Sequence, residues 1–342
     1  MLQMIMRILE AMAALVCSVF LEIILHEAGH MIFGLFSGYG FSSFRIGNLM
    51  LIRQEGKLRL RKLPIAGTGG QCIMSPPEFI SGKIPVFWFN LGGVCFNLAS
   101  AILFGVLFFL LPRMYFLSPF LFFAAILGLV FALLNGIPLH MGGLDNDGMN
   151  ALSLGKNEKA MKGFWLQLRI NEELSKGVRL KDMPEAWFPK PDWEDMENSM
   201  VACMAVFRAN RLMDEHAFSE AESYMAQFLE IKSGIPGIYR ALCACDRIFI
   251  DLLGEEPVLT EKLYTAQLKD FMKQMKTFPS VIRTRYVLAL LWEKDLEEAK
   301  KWEEKFEKTA CTYPYEADVA FERELLELAK QKEKEKNLFI RT

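Results

Sequence analysis

Leu21-Glu22-Ile23-Ile24-Leu25-His26-Glu27-Ala28-Gly29-His30-Met31-Ile32-Phe33-Gly34 places four ionisable side chains within the stretch Ala11–Phe36, which is otherwise uncharged and long enough to cross a bilayer. Ionisable groups inside a membrane helix are costly and mark a functional site by default. His26 and His30 lie four residues apart, so one helical face presents both imidazoles to the same point. H-E-x-x-H is the spacing that binds zinc through two histidines, with the glutamate as general base. The plainer reading is a polar cluster in a helix–helix contact. Permanent insertion is expected rather than a cleavable signal peptide, because the apolar helix continues past residue 30 with no polar cleavage region after it.

Two further stretches, Val86–Leu111 and Met114–Leu139, are uncharged and long enough to span. The short connection between them leaves no room for an inserted module there. Between the first and second spans, Phe44–Leu63 alternates apolar and basic residues around Glu55-Gly56, a hairpin signal. Gly69–Met74 reads as another strand, so residues 41–76 form a small β region. That connection carries Arg45, Arg53, Lys57, Arg59, Arg61, Lys62 and Lys83, against Glu55 and Glu78 alone; the other side has Arg7 and Arg113 near the spans. The positive-inside rule puts the hairpin and the C-terminal half in the cytoplasm and the N-terminus outside, as in a multi-pass protein of a bacterial cytoplasmic membrane.

Of the 80 charged residues among 342, only 16 fall in residues 1–150. This asymmetry excludes a single soluble domain and general disorder. A net charge of −2 offers no basic footprint for nucleic acid. Seven cysteines, an odd number without framework spacing, fit reduced thiols, and Cys243 and Cys245 read as ordinary helix residues.

Beyond Gly155 the pattern is amphipathic helices. Trp187–Trp193, with Pro184, Pro189 and Pro191, reads as a linker. Phe218-Ser219-Glu220-Ala221-Glu222-Ser223-Tyr224 is echoed 78 residues later by Leu296-Glu297-Glu298-Ala299-Lys300-Lys301-Trp302. The echo looks like tetratricopeptide-type helix pairs, although the usual period is not kept. Such repeats make concave surfaces for cytosolic peptide or protein partners. Lys330–Lys336 reads as a solvated helix end.

A catalytic zinc needs a third protein ligand. After the third span comes Asn135-Gly136-Ile137-Pro138-Leu139-His140-Met141-Gly142-Gly143-Leu144-Asp145-Asn146-Asp147-Gly148, with Asp145 and Asp147 as candidates and His140 as a lesser one. An ordinary Asx turn leaving the membrane is the alternative.

With these residues in place, 11–150 resembles the site-2 proteases, intramembrane zinc metalloproteases. Their hallmarks are HExxH in the first core helix, a second helix bearing glycine and asparagine, and Asn-x-x-Pro followed by Leu-Asp-Gly in the third. His26-Glu27-Ala28-Gly29-His30 matches fully. Gly92-Gly93-Val94-Cys95-Phe96-Asn97 looks like the second motif with Val94 in place of proline. Asn135-x-x-Pro138 matches, but the aspartates lie seven and nine residues beyond Pro138 where the family has five. Asp145 keeps the preceding leucine and Asp147 the following glycine. Asp147 is the favoured third ligand, with Asp145 the alternative, because Gly148 allows a tight turn back towards the helix pair.

The resemblance implies zinc held by His26, His30 and Asp147, with Glu27 as general base. It also implies a strand edge that accepts the unwound substrate by β-augmentation. Asn97 and Asn135 are candidates for hydrogen bonding to substrate backbone, or for joining helices. Glu22, one turn before His26, is a candidate to orient an imidazole or equally to sit in a helix interface.

The expected fold is an α-helical membrane protein: a three-span metalloprotease core with a small β insertion, then an all-α soluble domain. Its parts are residues 1–155, a linker and helix over 156–195, and helical repeats over 196–342. The expected activity is hydrolysis of a peptide bond in or near the transmembrane segment of a membrane-anchored protein or peptide. The alternative is a membrane-anchored helical-repeat scaffold with a structural or inactive metal site. A metal transporter is disfavoured by three spans without an inverted repeat.

Overall fold

A computed structural model describes residues 1–65, 68–112, 114–141 and 144–341. Arg113 and the Gly142-Gly143 pair of the motif segment lie outside the described residues. The first half carries α1 (Leu2–Phe36), β1 (Gly40–Ile46), β2 (Leu49–Gln54), β3 (Lys57–Lys62), β4 (Gly70–Ser75), α2 (Phe87–Leu110), α3 (Leu117–Gly136), β5 (His140–Met141), β6 (Leu144–Asp145) and α4 (Asp147–Ser153). Then come α5 (Glu158–Ser175), α6 (Ser199–Asp214), α7 (Phe218–Glu230), α8 (Gly237–Leu253), α9 (Leu259–Leu263), α10 (Ala266–Gln274), α11 (Pro279–Val287), α12 (Leu296–Ala310) and α13 (Glu316–Arg341).

The chain divides into two compact units: Met1–Gly47 with Thr68–Trp165, and Asn48–Gly67 with Leu166–Thr342. The boundary near 165 lies ten residues beyond the expected one, and the hairpin of β2 and β3 belongs to the second unit.

In the first unit, α1, α2 and α3 are each long and apolar enough to cross a membrane. α1 has 35 residues; at 1.5 Å per residue it runs to about 52 Å, against a hydrocarbon core of about 30 Å. Its buried positions are Ala14, Ser18, Glu22, Glu27, Gly29, His30 and Gly34. Those of α2 include Asn90, Gly92, Gly93, Asn97 and Ser100, and those of α3 are Leu121, Ala124, Gly128 and Ala132. Small and polar residues are therefore inside, whereas Phe20, Ile24, Ile102, Phe109 and Leu133 are exposed. That inversion is the packing rule of helices in lipid, where nothing hydrophobic drives association and small residues let backbones approach. β1 and β4 pair antiparallel from Gly40↔Ser75 to Ile46↔Gly70.

In the second unit, β2 and β3 pair from Leu49↔Lys62 to Gln54↔Lys57. Glu55 and Gly56 both have positive φ, at 50° and 75°, as a two-residue type I′ hairpin requires. The Phe44–Leu63 signal thus resolves into the end of β1 and this hairpin. Met50, Ile52 and Gln54 form its buried face, and the Gln54 amide donates to the Pro314 carbonyl at 2.7 Å. Leu58 and Leu60 face outward.

Helix packing buries Ala221, Phe228, Phe249, Ile282, Phe306 and Leu325. Phe218 and Leu296, which open the echoed segments, are the first residues of α7 and α12, and the shared alanines Ala221 and Ala299 are buried in both. The proline-flanked Trp187–Trp193 stretch is no free linker. Phe188 is buried, its carbonyl accepts from Arg208, and the Arg211 guanidinium lies over its ring. Cys243 and Cys245 are free, buried helix residues, as expected.

Candidate metal centre

α1 carries His26, Glu27 and His30 past α2 at a place where neither backbone has a side chain in the way. A Cβ built on Gly93 would lie 2.6 Å from His26 Nδ1 and 2.8 Å from His30 Nε2, so only glycine lets α2 run beside both imidazoles. The His30 Nδ1–H donates to the Phe89 carbonyl at 2.9 Å. The His26 Nδ1–H donates to Asn97 Oδ1 at 2.7 Å. Both rings are thereby held in the tautomer that leaves Nε2 as a lone pair.

Asn97 is itself fixed. Its amide donates to the Glu22 carbonyl at 3.0 Å and to Glu22 Oε2 at 2.8 Å, and Ser100 Oγ donates to the same oxygen at 2.7 Å. Glu22 reaches His26 through Asn97, which gives the expected orienting role a concrete path.

The third donor arrives on α4. Asn146 caps that helix, its Oδ1 accepting from Met149 N–H and from Leu139 N–H. Its amide donates to the carbonyls of Leu134 at 2.7 Å and Ile137 at 2.6 Å, tying α4 to the end of α3. Asp147 is the first residue of α4, and its Oδ2 lies 3.1 Å from His26 Nε2 and 3.2 Å from His30 Nε2. The two Nε2 atoms are 3.2 Å apart.

Gly148 acts differently from the expected turn. It lies inside α4 without positive φ, and a Cβ there would stand 2.2 Å from the Gly136 carbonyl oxygen. Close approach of α4 to α3, not backbone freedom, is what demands glycine. Asp145 and His140 pair with each other instead, the latter exposed.

Three donors with nearly equal separations are the face of a tetrahedron. Bonds of about 2.0–2.1 Å to zinc give tetrahedral edges of about 3.3 Å, close to the three distances here. Among the described residues, His26, His30 and Asp147 are the one His/Cys/Asp/Glu group able to hold a metal ion. Two imidazole nitrogens and a carboxylate oxygen thus converge on one point.

Glu27 is buried beside this group, and strand β4 crosses it. The Cys72 backbone N–H donates to its carboxylate, and a Cβ on Gly70 would lie 2.7 Å from Glu27 Oε1. Among the described strands of the first unit, β4 pairs with β1 alone.

Sequence reasoning placed His26, Glu27, His30 and Asp147 together, as they are. It gave Asn97 either to substrate or to joining helices, and here both ends of that amide are spent on His26 and Glu22 of α1. The Asn135 amide donates to the Phe131 carbonyl of its own helix at 3.0 Å. Asn146, Ser100 and the Phe89 carbonyl were missed, though an asparagine opening a helix signals a cap. No family model, curated protein or solved structure matches the chain.

Proposed function

We propose that the protein is an intramembrane zinc endopeptidase of the site-2 protease type, cleaving a membrane-anchored protein or peptide in or near its transmembrane segment. The observation that carries this reading is the convergence of His26, His30 and Asp147 within one tetrahedral edge of each other, with Glu27 alongside, inside helices apolar enough to span a bilayer. His26, His30 and Asp147 would hold the zinc, which would supply Lewis acidity towards a peptide carbonyl and an activated water.

The chain's own residues do the rest. Glu27 takes the proton of the attacking water and returns it to the leaving amine. Asn97 and the Phe89 carbonyl keep the imidazoles in register. The unpaired edge of β4, running beside Glu27, is where an unwound substrate segment adds as a strand, since a helical one shields its carbonyls. A structural metal site has no need of a base, so Glu27 favours protease over scaffold. The excess of basic residues between α1 and α2 supports a cytoplasmic position for the hairpin and the C-terminal unit. The echoed segments that open α7 and α12 support reading that unit as helical repeats.

The test is cleavage of a transmembrane reporter by purified full-length protein in detergent, wild type against Glu27→Gln. The variant is expected to keep its zinc and lose about 10²–10⁴-fold in rate, as removal of a general base does. Equal cleavage by both proteins contradicts the assignment.

A further inference from the structure

The second unit holds a cavity of about 160 Å³. Asp246 of α8 and Asp318 and Glu322 of α13 line it, together with the rings of Phe278, Tyr313 and Phe321. Asp318 and Glu322 are four residues apart and so share one face of α13.

These carboxylates are short of cations. Arg283, fully buried, donates to Asp246 and, at 2.9 Å, to Glu322 Oε2. Asp318 has no ion-pair partner among the described residues. Three carboxylates stand against one guanidinium, and that guanidinium is engaged by Asp246 and Glu322, so Asp318 is the carboxyl left to a ligand.

A separate feature points the same way. Tyr313 is 6% exposed, it lines the cavity, and its hydroxyl has no hydrogen-bond partner among the described residues. A phenol oxygen left without a donor can accept from a ligand, and a half-buried carboxylate without a counter-charge is left poorly compensated.

One kind of occupant relieves both. It carries positive charge for Asp318, offers several N–H donors to the carboxylates and the phenol oxygen, and has an apolar stem for the rings. An ammonium or guanidinium group has donors and no acceptor, and aromatic faces attract it. An anion would meet the carboxylates, and a neutral apolar group would leave them unpaired. The volume admits one side-chain head, so the remainder of the ligand lies outside, as it does for a residue within a peptide.

We propose that this cavity binds the basic side chain, lysine or arginine, of a peptide segment from a partner protein. The site would serve to recognise that segment whether or not the metal centre hydrolyses peptides.

The test is fluorescence anisotropy with full-length protein in detergent. The probes are an otherwise neutral labelled peptide carrying one lysine or arginine and the same peptide with norleucine in that place. Ethylammonium and guanidinium chloride serve as free competitors. The basic peptide is expected to bind and the norleucine peptide not.

Asp318→Asn, nearly isosteric, should weaken binding about tenfold or more, in keeping with a lost hydrogen bond to a charged group. Tyr313→Phe should weaken it by a few-fold, with circular dichroism unchanged, and stands in should the asparagine variant misfold. Absence of binding by wild type, equal binding of the norleucine peptide, or undiminished binding by both variants overturns the proposal. Free cations binding as tightly as the peptide would make this a small-cation site and overturn the peptide assignment.

Discussion

Asn97 does for His26 what the Phe89 carbonyl does for His30: each accepts the Nδ1 proton and turns Nε2 towards Asp147. A side chain can be removed where a carbonyl cannot. Asn97→Ala should therefore lower metal affinity on the order of 10–100-fold, the usual effect of losing such a partner, measured by competition with a chelator. Unchanged affinity would mean that packing alone orients His26.

At this scale the sequence was legible where chemistry and spacing coincide. His26 and His30 four apart, with Glu27 between them, specify one helical face, and that face meets Asp147 in the fold. It was not legible where a donor's partner decides its role. Asn97 looks free in the sequence and is spent in the fold on Glu22, a residue 75 positions away. Gly148 was noticed correctly but for the wrong reason, because a close approach to the Gly136 carbonyl depends on how α3 and α4 pack.

Among the elements, the three apolar helices were plain from length and lack of charge; their ends moved by three residues or fewer, except that α1 starts nine residues before Ala11. The inward faces followed a rule visible only afterwards: in α1 the stripe Ala14, Ser18, Glu22, His30 and Gly34 is the small and polar one. The hairpin was foreseen from Glu55-Gly56. Its membership in the second unit was not, because it rests on long-range contacts such as Gln54 with Pro314 and Arg61 with Glu316.

α13 carries a prediction of its own. Burial, with Glu322 and Asp214 close by, pushes the Asp318 carboxyl up to about 7. A carboxyl raised on folding costs nothing while it is protonated in both states. Stability is then lost as pH rises from the unfolded value, near 4, through 7. Amide hydrogen exchange along α13 should accelerate from pH 5 to 8 beyond the intrinsic rise, by an amount equivalent to a few kcal/mol at most. Asp318→Asn should remove that excess. An identical profile in both proteins would show that Asp318 stays charged in the fold.

Over the whole molecule, two units carry separate chemistry. The first draws one centre from three segments far apart in sequence: α1 supplies two imidazoles and a carboxylate, α2 their orienting groups, and α4 the third donor. The second unit carries a buried Arg283 bridging Asp246 of α8 and Glu322 of α13, beside an acidic, ring-lined cavity. The charge asymmetry divides the sequence near residue 150, and the compact units divide near 165, with the hairpin of β2 and β3 in the second.

The central claim is that His26, His30 and Asp147 together form a zinc site. Elemental analysis of protein purified in detergent addresses it directly, with wild type, Asp145→Asn and Asp147→Asn side by side. A three-ligand site predicts about one zinc per chain in wild type and in Asp145→Asn, and little or none in Asp147→Asn. Zinc retained by Asp147→Asn and lost by Asp145→Asn, or absent from all three, would contradict it.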